Sequence, residues 1–379
     1  MPTLTARTLI TAIGTVAYPV IEVDAAGLIT DISTDANVRS EAILTPTFLD
    51  VHLHGAAGHD VMDASPAGLS EVQHFLALRG TGHYLPTTVT ASVDDTLRAL
   101  EALAATIERP TPEDEATPVG VHLEGPFLSH AKRGVHLAEL LQRPSVSLFE
   151  RFQEAARGHI RLVTIAPEMP GALELIAYVA AKGVRVSLGH SNATAAEAAA
   201  GIGAGATSAT HTFNAMRGMD HRQPGIAGVV LDDQALFAEL ICDGIHVVPA
   251  MVRLWLRLKG ERAILVTDGI SATGMPDGAY TLAGVPILVA NGKASAADAP
   301  ETLAGSVLTL DRAVENLRTF TGCGLEEAVR CASSQPAKML GLGETIASVR
   351  VGQTANLNRY SADGRLEGTY LLGRLVVRE

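Results

Sequence analysis

Apolar residues recur through the middle of this chain in short blocks, each bounded by turn residues and separated by stretches with helical spacing. The blocks predict strands over Thr47–Leu53, Tyr84–Thr90, Gly120–Leu123, Arg161–Ala166, Val184–Leu188, Ala206–Thr210, Leu236–Cys242 and Ala263–Thr267. Between them, apolar positions spaced for one helix face fall at Gly68–Leu78, Asp94–Ile107, Leu148–Ala156, Ala172–Ala181 and Val252–Leu258. Parallel strands need long crossovers, so strand–helix alternation points to a parallel sheet. Eight strands suit a closed (β/α)8 barrel of the TIM type better than an open, doubly wound sheet.

The two ends of the chain read differently. Residues 1 to about 45 show no helical period: Thr3–Thr11, Thr15–Val23 and Leu28–Ser33 read as strands, with a turn at Asp24–Gly27. Val351–Val377 has the same character. The expected layout is a small β-sandwich built from both termini, residues 1–46 and 348–379, around a catalytic barrel over 47–347. The Ala-, Gly- and Asp-rich stretch Asp277–Pro300 reads as an insertion or hairpin ahead of the closing helices.

Composition narrows the function. With 379 residues, 47 % hydrophobic and 18 % charged, the chain can fill a barrel of about 250 residues plus a satellite, and disorder is excluded. Lys and Arg total 29 against 41 Asp and Glu, a net charge of −12, with no basic cluster to hold nucleic acid or an anionic membrane. Three cysteines, Cys242, Cys323 and Cys331, lack CxxC spacing and read as reduced thiols. No signal peptide or membrane-length apolar run is visible, so a soluble, cytoplasmic protein is expected.

The candidate chemistry lies where the predicted strands end. His52 and His54 close the first strand, Glu124 follows the third, His190 the fifth and His211 the sixth, while His246 lies just beyond the seventh and Asp268 follows the eighth. In a barrel all strands point one way, so these side chains reach one rim, the C-terminal rim that carries barrel chemistry. Imidazoles with a carboxylate suit a divalent ion such as zinc, iron, nickel or cobalt. The i, i+2 spacing of His52 and His54 puts both on one strand face. Asp268 is placed to act as the base that hydrolysis at an ion requires, as an additional ligand, or as both. His74, His83, His130, His159 and His221 do not follow apolar strands and read as structural or solvent-facing.

The ordered motifs DVHLHG, HLEGPF, KRGVH, LGHS, THTFNAM, RQPGIAG, CDGIHV, VTDG and LAGS resemble the N-acetylglucosamine-6-phosphate deacetylase family of the amidohydrolase superfamily, along the whole chain. The resemblance implies that Glu124, His190 and His211 are the principal metal ligands. It also implies that His52 and His54 form a second-metal pair bridged by Glu124, and that Asp268 is the catalytic acid/base. One or two divalent ions per subunit are expected, zinc foremost, with iron, nickel, cobalt or manganese as alternatives. Substrate contacts are implied for Val135, His136, Asn214, Ala215, Asp243, His246, Leu303, Ala304 and Gly305. Arg222 is implied to reach the phosphate of the neighbouring subunit's substrate, hence a homodimer. The implied reaction converts N-acetylglucosamine 6-phosphate to glucosamine 6-phosphate and acetate. One departure is Gly352–Leu357, which reads GQTANL where superfamily members often carry Asp in place of Asn356.

Two rival readings differ in residues. Dihydroorotase- or D-amino-acid-deacylase-like enzymes commonly bridge two ions with a carboxylated lysine on the fourth strand, and no Lys follows the strand ending near Ala166 here. A non-catalytic scaffold of the same fold would have lost its ligands, whereas this chain keeps the set.

Overall fold

A computed structural model describes residues 3–377. The outermost positions of the two expected terminal segments, 1–2 and 378–379, lie outside the described residues. Eight parallel strands run in chain order: β1 (Phe48–Leu53), β2 (Thr81–Thr88), β3 (Val121–Glu124), β4 (Ile160–Ile165), β5 (Arg185–Leu188), β6 (Ser208–Ala209), β7 (Phe237–Ile241) and β8 (Ala263–Val266). Each pairs with the next. The ring is nearly closed between β8 and β1: Leu53 bridges Gly269, and the Asp268 amide donates to His52 O at 2.9 Å. Thr267 Oγ1 adds a bond to Asp50 Oδ2 at 2.6 Å.

Helices α1 (Pro66–Ala77), α2 (Val93–Ile107), α3 (Val146–Ala155), α4 (Ala172–Ala181), α5 (Ala195–Gly203), α6 (Gly225–Asp232) and α7 (Pro249–Lys259) follow the first seven strands in turn. After β8 come α8 (Leu310–Thr321), α9 (Leu325–Ala332) and α10 (Ser334–Leu340). Local chemistry sets several starts. Ser65 and Ser92 accept from the amides of Gly68 and Asp95, and Thr194 with Glu197 forms a capping box. Between strands and helices lies one apolar layer holding Trp255, Phe149 and Phe152, all fully buried.

Both chain ends build a separate β-layer. A six-stranded sheet runs in the order Arg374–Leu375, Leu366–Leu371, Leu357–Tyr360, Ile43–Pro46, Thr8–Thr11, Gly14–Ala17. A three-stranded sheet holds Thr3–Thr5, Pro19–Val23 and Ile29–Thr34. Leu9, Ile21, Val23, Ile29, Leu44 and Leu357 share one buried cluster. Two expected single strands each break in two here. Thr3–Thr11 changes sheets around Ala6, and Thr15–Val23 does so at Tyr18, whose φ of 51° turns the chain ahead of Pro19. The expected insertion before α8 is a four-stranded antiparallel sheet of Gly278–Leu282, Val285–Ala290, Lys293–Ala296 and Ala299–Leu303.

Candidate active site

Three of the predicted residues sit two positions beyond the last paired residue of their strand: His190 after β5, His211 after β6 and Asp268 after β8. Each adopts positive φ, at 46°, 28° and 50°. A side chain other than glycine tolerates that region only where its surroundings impose it, at about 1–3 kcal/mol each. Here the turn points each side chain back over the barrel axis. Gly305 makes room for one of them: at φ 56°, a Cβ there would lie 2.8 Å from Asp268 O.

Glu124, the last residue of β3, is the hub. Its Oε1 lies 3.2 Å from both His190 Nε2 and His211 Nε2. Its Oε2 lies 3.3 Å from His52 Nε2 and 3.0 Å from His54 Nε2. Two potential ligand groups thus share the carboxylate, His52–His54–Glu124 and Glu124–His190–His211, all buried. Asp268 Oδ1 stands beside the first, 3.2 Å from His54 Nε2 and 3.5 Å from His52 Nε2.

The far nitrogens of these rings reveal what the near ones offer. His190 Nδ1 donates to Lys132 O at 2.9 Å, and His54 Nδ1 donates to Thr87 O at 3.1 Å. A carbonyl only accepts, so in the neutral rings each Nε2 presents a lone pair to the centre. His52 Nδ1 lies 3.3 Å from Glu239 Oε2, a carboxylate–histidine pair of the kind that orients metal ligands. The Nε2 atoms converge at 3.1 Å (His190, His211) and 3.2 Å (His52, His54), and buried Glu124 Oε1 lacks a hydrogen-bond partner. Ligands about 2.0–2.1 Å from one tetrahedral ion stand about 3.3 Å apart, so the donor set fits a divalent cation in each group.

The electrostatics agree. Burial opposes charge on Glu124 and Asp268, but the imidazoles, His52 foremost, outweigh it and hold both carboxyls well below the usual range. In the metal-free protein burial works against protonation of His54, yet bonds to Asp268 and Glu124 win and push it up to about 9. His136 goes the other way, down to about 3, through burial and the nearby His190.

His54, Glu124, His190, His211 and Asp268 form the floor of a cavity of about 340 Å³, with His52 beneath them. Of the expected substrate contacts, Val135, His136, Asn214, Ala215, His246, Leu303 and Gly305 line it. Asp243 stands behind the wall, its Oδ2 2.6 Å from His246 Nδ1. Ala304 is fully buried in an apolar cluster with Ile270 and Ile287. Arg222 is exposed on a loop and is absent from this wall, its backbone amide bonded to Asp220 Oδ1 at 3.0 Å. His159 bonds Glu108 at 3.2 Å, and His74 bonds Asp114 O at 3.2 Å, outside the cavity. His83 lies within β2 and not ahead of it, and burial lowers it to about 4.

Several participants escaped the strand-end reading. Glu239 lies inside β7, a carboxylate in the apolar run FAELI, and that anomaly was the available signal. Asp50 shares the i, i+2 face of His52 and His54, fully buried, and accepts from Thr267. His122 stacks edge-on against His52 at 4.7 Å. Lys132 contributes its carbonyl to His190 and lines the cavity.

Buried imidazoles around a shared carboxylate at the C-terminal mouth of a β/α barrel define a metal-dependent amidohydrolase. Residues 43–376 match the amidohydrolase family, and the chain belongs to it. The chain is 37 % identical to the N-acetylgalactosamine-6-phosphate deacetylase of Escherichia coli O157:H7, over 89 % of both chains. It is 36 % identical to the N-acetylglucosamine-6-phosphate deacetylase of Vibrio furnissii, over 94 % of this chain and 90 % of that one. A mutant N-acetyl-D-glucosamine-6-phosphate deacetylase of Mycobacterium smegmatis, solved in complex with N-acetyl-D-glucosamine-6-phosphate, superposes with a TM-score of 0.92 at 34 % identity, covering 99 % of each chain.

Proposed function

We propose that the protein hydrolyses the amide of N-acetylglucosamine 6-phosphate, releasing acetate and glucosamine 6-phosphate. The observation that carries this reading is the placement of Asp268 beside the Glu124-centred ligand set, on the floor of the cavity that this set lines. Glu124, His190 and His211 would hold one ion, and His52 and His54 with Glu124 a second. When bound, the ion supplies Lewis acidity, polarising the acetamide carbonyl and bringing water toward a pKa of about 7. Zinc suits the nitrogen-rich set.

The chain's own groups then divide the work. Asp268, held ionised, takes the proton of the attacking water and passes it to the amine nitrogen as the C–N bond breaks. His136 is neutral and donates from Nε2, 3.8 Å from Glu124 Oε2, to the carbonyl oxygen as it gains charge. Lys132 and His246 on the cavity wall face the sugar phosphate, joined by Arg222 from the neighbouring subunit of a homodimer. Val135, Asn214, Ala215, Leu303 and Gly305 shape the sugar's seat, with Asp243 and Ala304 supporting them from behind. Among the described residues no helix is long and apolar enough to cross a membrane, and all three cysteines are free, which supports a cytoplasmic enzyme.

The test is acetate release from N-acetylglucosamine 6-phosphate, its 4-epimer N-acetylgalactosamine 6-phosphate and the unphosphorylated sugar, with metal content measured on the same sample. N-acetylglucosamine 6-phosphate should react with the highest kcat/KM. Equal rates with and without phosphate would refute phosphate recognition, and preference for the 4-epimer would reassign the substrate.

A further inference from the structure

A neutral imidazole donates from only one of its nitrogens, so the role given to His136 depends on which one carries the proton. The surroundings of Nδ1 decide this. The backbone amide of Thr90 donates to Nδ1 at 3.3 Å, and Thr90 Oγ1 lies 2.8 Å from it. An amide N–H has no acceptor capacity, so Nδ1 must offer it a lone pair. The Thr90 hydroxyl can rotate, and donates its proton to the same lone pair. The ring's own proton is therefore on Nε2, the nitrogen on the side of Glu124 Oε2.

Thr90 is itself fixed. It follows β2 at the barrel mouth, is 4 % exposed, and its hydroxyl fills the space beside Gly125, where a Cβ would come within 2.1 Å of Oγ1. Gly125, at φ 82°, directly follows Glu124. One hydroxyl thus ties the loop after β2 to the loop carrying His136, against the residue next to the shared ligand. On its other side the His136 ring meets His190 edge-on, with centroids 4.7 Å apart.

We propose that Thr90 is a positioning residue: its amide and hydroxyl lock His136 as the Nε2–H tautomer and aim that N–H at the substrate carbonyl oxygen. The proposal rests on the reading of His136 as the carbonyl donor, and the experiment separates the two.

Four variants are compared in the metal-loaded enzyme: Thr90→Val, Thr90→Ser, His136→Gln, and Thr90→Val combined with His136→Gln. His136→Gln should lower kcat about 10²-fold, the loss typical of one oxyanion donor. Thr90→Val keeps the shape and the backbone donor, so kcat should fall about 10-fold with KM and metal content near wild type, and Thr90→Ser should restore it. Acting through His136, Thr90→Val should cost less than about twofold in the His136→Gln background, whereas a merely structural Thr90 would cost the same in both. A His136→Gln enzyme with wild-type kcat would overturn the role of His136. An impaired His136→Gln enzyme beside an unimpaired or additive Thr90→Val would overturn that of Thr90 alone. Should the valine variant fail to fold, ¹⁵N NMR of histidine-labelled zinc enzyme, assigned by the signal lost in His136→Gln, decides: an unprotonated Nδ1 supports the proposal and a protonated Nδ1 overturns it.

Discussion

Under the proposed assignment Asp268 is the residue on which turnover depends most directly, because it would serve both halves of the proton transfer while other groups would hold the ions. Asp268→Asn should retain near wild-type metal content and lose about 10²–10⁴-fold in kcat, read by acetate release and elemental analysis on one preparation. Survival of turnover within a few-fold would end the assignment. His54 carries a pH prediction. In the metal-free protein it stays protonated up to about pH 9, so at pH 7 its proton must leave before Nε2 can bind an ion. Uptake at this position should release a proton, and affinity should rise with pH by about tenfold per unit between 7 and 9. Calorimetry in buffers of different ionisation enthalpy reads that release directly, and an affinity flat across the range would contradict it.

At the scale of elements, one strand can supply the partner that orients another strand's ligand. Glu239 on β7 orients His52 on β1 past the intervening β8, 3.3 Å away. Glu239→Gln keeps the shape and removes the charge, and should weaken metal binding about 10–100-fold, measured by competition with a chromogenic chelator. The strand ends were legible from the sequence because His52, His54, Glu124, His190, His211 and Asp268 each follow or close an apolar run, and a parallel barrel turns that one-dimensional rule into a shared rim. What supports them was less legible for physical reasons. Glu239 and Asp50 lie inside strands, where pattern reading counts them as interruptions, and Thr90 acts through a rotatable hydroxyl that leaves no periodic trace. The sheet change at Tyr18 was hidden as well, since Thr15–Val23 alternates as a single strand would, and only tertiary packing decides that Pro19 joins a different sheet. The stretch Asp277–Pro300, read as an insertion or hairpin, holds four strands: Asn291–Gly292 carries a hairpin-turn signal, whereas the turn at Ala283–Gly284 rests on an alanine at positive φ that sequence does not announce.

For the whole molecule, the proposed dimer makes a prediction that no single chain can satisfy. Arg222 is exposed and lies off its own cavity, so Arg222→Ala should raise KM for the phosphorylated sugar by about tenfold, the loss of one charge-assisted pair, and leave the unphosphorylated sugar unaffected. Mixing Arg222→Ala with Asp268→Asn chains, after dissociation and reassociation, should recover a near wild-type KM for the phosphorylated sugar, because each heterodimer holds one complete site. No recovery would place the arginine's role elsewhere. Chelation should also lower the melting temperature, since an ion that binds only the folded ligand set stabilises it by mass action, and differential scanning calorimetry with and without chelator reads the shift.

The sheet built from both termini bears on how the protein is made. Ile43–Pro46 lies between Thr8–Thr11 and Leu357–Tyr360, so one of its edges is filled only by residues that leave the ribosome after more than three hundred others. At 5–20 residues per second that edge stays open for roughly 15–60 s of synthesis. Nascent chains stalled before residue 357 therefore present unpaired strand edges to chaperones and to each other, and premature termination late in the message should give insoluble product even though every barrel strand has been translated.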